Sequence, residues 1–179
     1  MDMVCFDGAM EITRFGALSD QDRAQLEGDE PDPFDAAGIE LTFRPKERHV
    51  GIRDETGRLI ASAGFVLAEV EIDGGERFGV LGIGGVIVAA AQRGRGLARV
   101  VVEAALEEGA RLGPEFALLF AHADRAGLYR KLGFAVLQSP LEVLQPRGRA
   151  VVPQLAMWRR LTANRDWPAG PAVLEGLPF

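Results

Sequence analysis

One cysteine and two histidines in 179 residues leave the chain almost without soft metal ligands. Cys5 has no second thiol to join, which excludes an internal disulfide. With only His49 and His122 beside it, no Cys/His zinc set can be assembled. Long apolar runs are also missing. No stretch of about 18 residues is free of interruption, and the N-terminus lacks a basic region followed by an apolar one, so a cytoplasmic chain with no membrane partner is expected. Positive charge is scarce: 20 Lys and Arg against 26 Asp and Glu give a formal net charge of −6. A surface that tracks a nucleic-acid backbone needs clustered cations that are present here only locally, so no nucleic-acid partner is expected.

What is present has globular proportions, with 47% hydrophobic and 26% charged residues, and the length suits one domain over residues 1–179. MEITRF (10–15) alternates as a short strand, and SDQDRAQLEG reads as a helix capped near Ser19. The acidic stretch from Glu27 to Gly38 reads as a surface loop long enough to serve as a lid. HVGIRD (49–54) and RLIASAGFVLAEVEI, joined by Glu55-Thr56-Gly57, form a hairpin. Asp73-Gly74-Gly75 then turns the chain into RFGVLGIGGVIV, which completes an antiparallel meander.

That last strand carries Gly79, Gly82, Gly84 and Gly85, a density that marks a bulge or a close backbone approach. A helix is predicted from Gly94 to about Leu112, with Arg99–Glu103 and Glu107–Arg111 pairs on its wet face. FALLFAHA (116–123) reads as a buried central strand, and DRAGLYRKLGF as a short helix ending at Gly133. AVVPQLAMWRRL is predicted to be one long final strand, with Pro153 at an edge or bulge.

The stretch QRGRGLA (92–98) follows the glycine-rich strand and opens the helix, where backbone N–H groups and the helix dipole favour an anion. A dinucleotide fingerprint is excluded because the position of its third glycine is Arg99, and a Walker loop is excluded because Gly-Lys-Ser/Thr is absent. Two readings of Gly94 and Gly96 remain: a phosphate cradle, or simply a tight strand-to-helix turn.

Arg93-Gly94-Arg95-Gly96-Leu97-Ala98 resembles the Q/R-x-x-G-x-G/A pattern of the GNAT N-acetyltransferase superfamily. LYRKLGF (128–134) is similar to that family's second hallmark. The resemblance covers about Gly79 to Phe134 and implies an α/β fold of α+β type, a central mixed, mostly antiparallel sheet flanked by helices. It implies acetyl-CoA, or a related acyl-CoA, as co-substrate. The pyrophosphate would lie on the backbone of residues 94–98 (Gly94, Arg95, Gly96, Leu97 and Ala98), with added charge from Arg93 and Arg95. The pantetheine arm would run beside Val86, Ile87 and Val88. The family's strand bulge would fall within Gly82 to Gly85.

Acyl transfer to an amine needs a neutral nucleophile, a stabilised oxyanion and a proton for the departing thiolate. Tyr129, the only tyrosine, aligns with the family's general acid; its other reading is a core-packing helix residue. Three residues are candidates for the base. Glu69 and Glu71 share one strand face with Phe65 and Leu67 and serve only if that face borders the cleft; otherwise they are surface carboxylates. His122, at the end of the buried strand, is suited to accept a proton near neutrality or to be a satisfied structural histidine.

Within the superfamily the layout is most similar to the aminoglycoside N-acetyltransferases acting at the 2′ amine, through GGVIVAAAQRGRGLARVV, the short connection into LYRKLGF and the terminal RDWPAGP. It departs from them at Gly84, where that group carries a carboxylate. The acceptor is therefore an amine-bearing small molecule or peptide of unassigned identity. A non-catalytic acyl-CoA sensor is the alternative that Gly84 leaves open. A serine hydrolase is not indicated, because Ser19, Ser62 and Ser139 all lie outside a G-x-S-x-G elbow. The apolar content of residues 162–179 predicts a segment that packs on the domain or bridges to a second copy as a homodimer.

Overall fold

The computed structural model describes residues 10–34 and 36–179, so Cys5 lies outside the described residues. The chain begins with β1 (Glu11–Phe15), α1 (Asp20–Glu27), β2 (Arg48–Arg53), β3 (Leu59–Ile72) and β4 (Glu76–Val88). After a 3-10 turn at Ala90–Gln92 come α2 (Leu97–Ala110), β5 (Phe116–Ala121) and α3 (Ala126–Lys131). The remainder is sheet: β6 (Ala135–Val136), β7 (Leu141–Gln145), β8 (Gly148–Val151), β9 (Leu155–Arg160) and β10 (Ala172–Leu174). Strands β1 to β4 form the antiparallel meander that the turn residues predict. Ser19 caps α1, its hydroxyl accepting from the Asp22 N–H at 3.0 Å.

The sheet runs β6-β9-β5-β4-β3-β10-β7-β8, with β1 and β2 beyond the first half of β3. Among the described residues only β4–β5 and β10–β7 are parallel. The 14-residue β3 serves two neighbours, β2 through Leu59–Phe65 and β10 through Val70–Ile72. Both faces of β5 are covered, which explains its unbroken apolar run. Ala117 and Leu119 pack with the α2 residues Val101, Val102 and Ala105, whereas Phe116 and Leu118 pack with Phe78, Val80 and Trp167. Each such burial contributes about 1.5–3 kcal/mol for a Val, Leu or Phe side chain.

Two features of β4 open the cleft. It pairs with β5 only from Val80 to Ile83, so its last residues run free of β5. It also bulges: Gly84 faces Gly64 and Ile87 faces Ser62, leaving one extra residue on β4, with Gly85 at φ 59°. A left-handed glycine is what such a bulge requires, and it falls at the end of the predicted Gly82 to Gly85 stretch.

One expectation about the last third needs correction. AVVPQLAMWRRL is not one strand: the chain breaks around Pro153, and β8 pairs with β7 while β9 pairs with β5 and β6. Proline lacks the N–H a ladder needs, so the break lets the chain cross from one wing of the sheet to the other. The 162–179 segment is woven into the sheet, with β10 between β3 and β7 and Trp167 and Phe179 buried. No helix among the described residues is long and apolar enough to cross a membrane.

Candidate active site

The cleft has two chambers that meet at shared walls. The larger, about 610 Å³, is lined by the β4 residues Val86, Ile87 and Val88 and by Arg93, Gly94, Gly96, Leu97 and Ala98 of the turn. Gly94 and Gly96 have φ of 78° and 77°, and α2 starts from Gly96 without a side-chain cap. Its first-turn N–H groups therefore have no partner within the helix and present partial positive charge to this chamber. The predicted coenzyme residues are brought together there, with the exception of Arg95, which is not part of the lining and donates through its guanidinium to the side chain of the lining residue Gln92.

Arg93 is already engaged. Its Nε donates to the Val88 carbonyl at 3.1 Å, and its terminal nitrogens donate to both carboxylate oxygens of Glu30, one at 2.9 Å. This hydrogen bonding holds the Glu30 carboxyl below its ordinary range. The acidic loop is thus part of the cleft: Glu30, Asp32 and Pro33 line the larger chamber, and Phe34 and Ala36 line the smaller.

The smaller chamber, about 290 Å³, reaches from the β4 bulge across to the end of β5. His122 lines it, with its Nε2 buried and without a hydrogen-bond partner, as is Oε1 of Gln154 on the same lining. Val86, Arg125 and Tyr129 line both chambers. Tyr129 on α3 packs edge-on against Phe134, centroids 6.1 Å apart. Burial raises its phenol above the ordinary tyrosine range, while the charge of Arg125 opposes that shift. The phenol stays protonated at neutral pH.

Glu69 and Glu71 line neither chamber. They lie opposite Gly79 and Arg77, at the end of β3 away from the bulge, and Glu71 pairs with Arg77. Alternation does put them on one face of the strand, but that part of the face does not border the cleft.

Several lining residues carry no sequence signal. Lys46 and Phe43 precede β2, Gln154 follows Pro153, and Phe179 ends the last segment. A Cβ on Gly84 would stand 2.6 Å from the Phe179 carbonyl carbon and 2.8 Å from Lys46 Cε, so the place of a side chain at position 84 is taken. One on Gly82 would collide with the Phe179 ring. Glycine at both positions is what admits these two residues.

A bulged strand thus feeds a glycine turn, a helix N-terminus faces the larger chamber, and a protonated phenol stands in the wall common to both chambers. Residues 22–137 match the family model described as the acetyltransferase (GNAT) domain, and the chain belongs to this family, whose co-substrate is acetyl-CoA. The fold is similar to that of the GNAT family N-acetyltransferase YhbS from Escherichia coli in complex with CoA, at 20% identity, 97% coverage of this chain, 98% of that chain and TM-score 0.61. A GNAT family acetyltransferase from Brucella melitensis in complex with acetyl-CoA aligns at 18% identity over 93% of this chain and 96% of that chain, TM-score 0.57. Escherichia coli ElaA aligns at 22% identity over 85% of this chain and 100% of that chain, TM-score 0.54. No curated protein sequence matches.

Proposed function

We propose that this chain, acting as one domain of which residues 162–179 are a packed part, transfers acetyl from acetyl-CoA to a primary amine held in the smaller chamber. The observation that carries this reading is the position of Tyr129 in the wall common to both chambers. The backbone of residues 94–98 holds the pyrophosphate, and the exposed edge of Val86–Val88 orients the pantetheine arm. The amine attacks the thioester carbonyl carbon, a C–N bond forms and the C–S bond breaks. Tyr129 donates its phenolic proton to the departing sulfur.

His122 takes the proton that the amine gives up. At a pKa near 10.4 an amine is neutral in only about one molecule in 10³ to 10⁴ at pH 7, so a proton acceptor is needed. His122 Nε2 has no competing partner, whereas Glu69 and Glu71 stand outside the chamber.

Thermal unfolding with acetyl-CoA, with ATP and without ligand tests the coenzyme half. At 100 times its dissociation constant, acetyl-CoA stabilises the fold by about 2.7 kcal/mol. ATP should not reproduce the shift, and the Gly96→Glu variant, which puts a carboxylate and a strained left-handed residue at the cradle, should lose it. A folded wild-type protein that shows no shift with acetyl-CoA would end the transferase reading.

A further inference from the structure

Among the cations of the described residues, Lys46 is unusual in being largely buried and having neither an ion pair nor a hydrogen bond. Its stem lies in a groove cleared by three glycines on two strands. A Cβ at Gly64 would stand 2.6 Å from Lys46 Cγ, one at Gly84 2.8 Å from Cε, and one at Gly85 3.7 Å from Cε. The missing side chains at Gly64 and Gly84 are what let a lysine lie across β3 and β4 to the bulge. Burial holds its ammonium below the ordinary lysine range, and the charge of Arg23 adds to that effect.

The chamber that Lys46 lines has a consistent chemistry. Among the described residues its charged lining side chains are Lys46 and Arg125, with no carboxylate side chain beside them. Phe34, Phe43, Phe120 and Phe179 supply aromatic walls, and Gln154 offers a buried carbonyl oxygen without a partner. A polycation entering such a chamber meets repulsion from Lys46 and Arg125, which disfavours an aminoglycoside. An acceptor that carries its own carboxylate satisfies Lys46, and one with an apolar body fills the aromatic walls. The small volume limits it to a single compact molecule.

Building on the acetyl-transfer reading above, we propose that the acceptor is a small α-amino carboxylate with an apolar or aromatic side chain. Lys46 binds its carboxylate, and Gln154 Oε1 accepts a hydrogen bond from its amine. Lys46 is then a specificity residue, distinct from the proton-transfer groups.

The test is calorimetric titration of the full chain saturated with CoA, using L-phenylalanine, L-leucine, their decarboxylated counterparts 2-phenylethylamine and isoamylamine, and kanamycin as polycation. A charge-assisted contact predicts that the amino acids bind about 10- to 100-fold more tightly than the amines lacking the carboxylate. Lys46→Met should erase that preference without changing CoA affinity, and Lys46→Arg should keep part of it. Equal binding with and without the carboxylate, preference for kanamycin, or no binding of either amino acid while CoA binds would overturn the proposal and leave acetyl transfer standing. A preference unchanged in Lys46→Met would also overturn it. Failure of CoA itself to bind would instead strike the transferase reading.

Discussion

The carboxylate of Glu30 grips the guanidinium of Arg93 with two hydrogen bonds across 63 positions of chain, in the lining of the larger chamber. An acidic loop residue therefore occupies the cation that the sequence pattern assigns to the coenzyme phosphates. Glu30→Gln frees Arg93, and acetyl-CoA affinity should rise roughly two- to fivefold, as expected for releasing a solvent-exposed pair. Titration calorimetry at low and high salt checks this, and the gain should shrink as salt screens the charges. Weaker binding in the variant would mean that the loop must be latched for the chamber to form.

Tyr129→Phe keeps the ring packed against Phe134 and removes only the hydroxyl. Turnover should fall by about 10²-fold or more, with the acetyl-CoA-induced thermal shift retained. Thiol-release kinetics on an active acceptor measure it. An unaffected kcat would remove the phenol from the mechanism and leave Tyr129 as a packing residue.

Gly109→Ala tests how α2 is seated on the sheet. In an isolated helix the change would stabilise by about 1 kcal/mol. Here the new methyl would collide with the side chain of Leu81, which is fully buried, and overpacking costs about 1–3 kcal/mol. The collision outweighs the gain in helix preference, so Tm should fall by a few degrees, as thermal unfolding will show. A rise would mean that Leu81 has room to move aside.

His49 gives the stability a pH dependence in the mildly acid range. Burial holds its imidazole below its ordinary value, and Lys46 and Arg23 add to that effect, while the hydrogen bond from Nδ1 to the Gly16 carbonyl opposes it. As pH falls, the unfolded chain takes up the proton first, so the fold loses stability as pH drops from about 6.5 toward the lowered folded value. Denaturant unfolding between pH 8 and pH 5 should show this slope, and His49→Gln should flatten it. Carboxylates cannot imitate the effect, because their ordinary values lie near 4. A slope unchanged in the variant would exclude His49 as its source.

The segment from Gly79 to Phe134 is legible because its signals are local. Glycines at left-handed positions, a helical period with Arg99–Glu103 and Glu107–Arg111 pairs, and an apolar run between turn residues each report on a few neighbouring positions. All of these features appear in the structure near the expected places. The last third is not legible in the same way. AVVPQLAMWRRL has the composition of one strand, and only the competition among β5, β6 and β7 for partners divides it into two. Likewise, alternation places Glu69 and Glu71 on one face of β3 but says nothing about how far along that face the cleft extends.

By itself the sequence determined the meander, the bulge, the glycine turn and the tyrosine, because each is specified by backbone preference and short-range period. Only the tertiary structure decided the smaller chamber. Lys46, Gln154 and Phe179 come from three distant segments and line one chamber, with Lys46 and Phe179 meeting at Gly84, because β10 inserts beside β3 and glycines leave room for them. Such a meeting depends on long-range packing, which no local pattern encodes. The charge and shape of that chamber are set at that level.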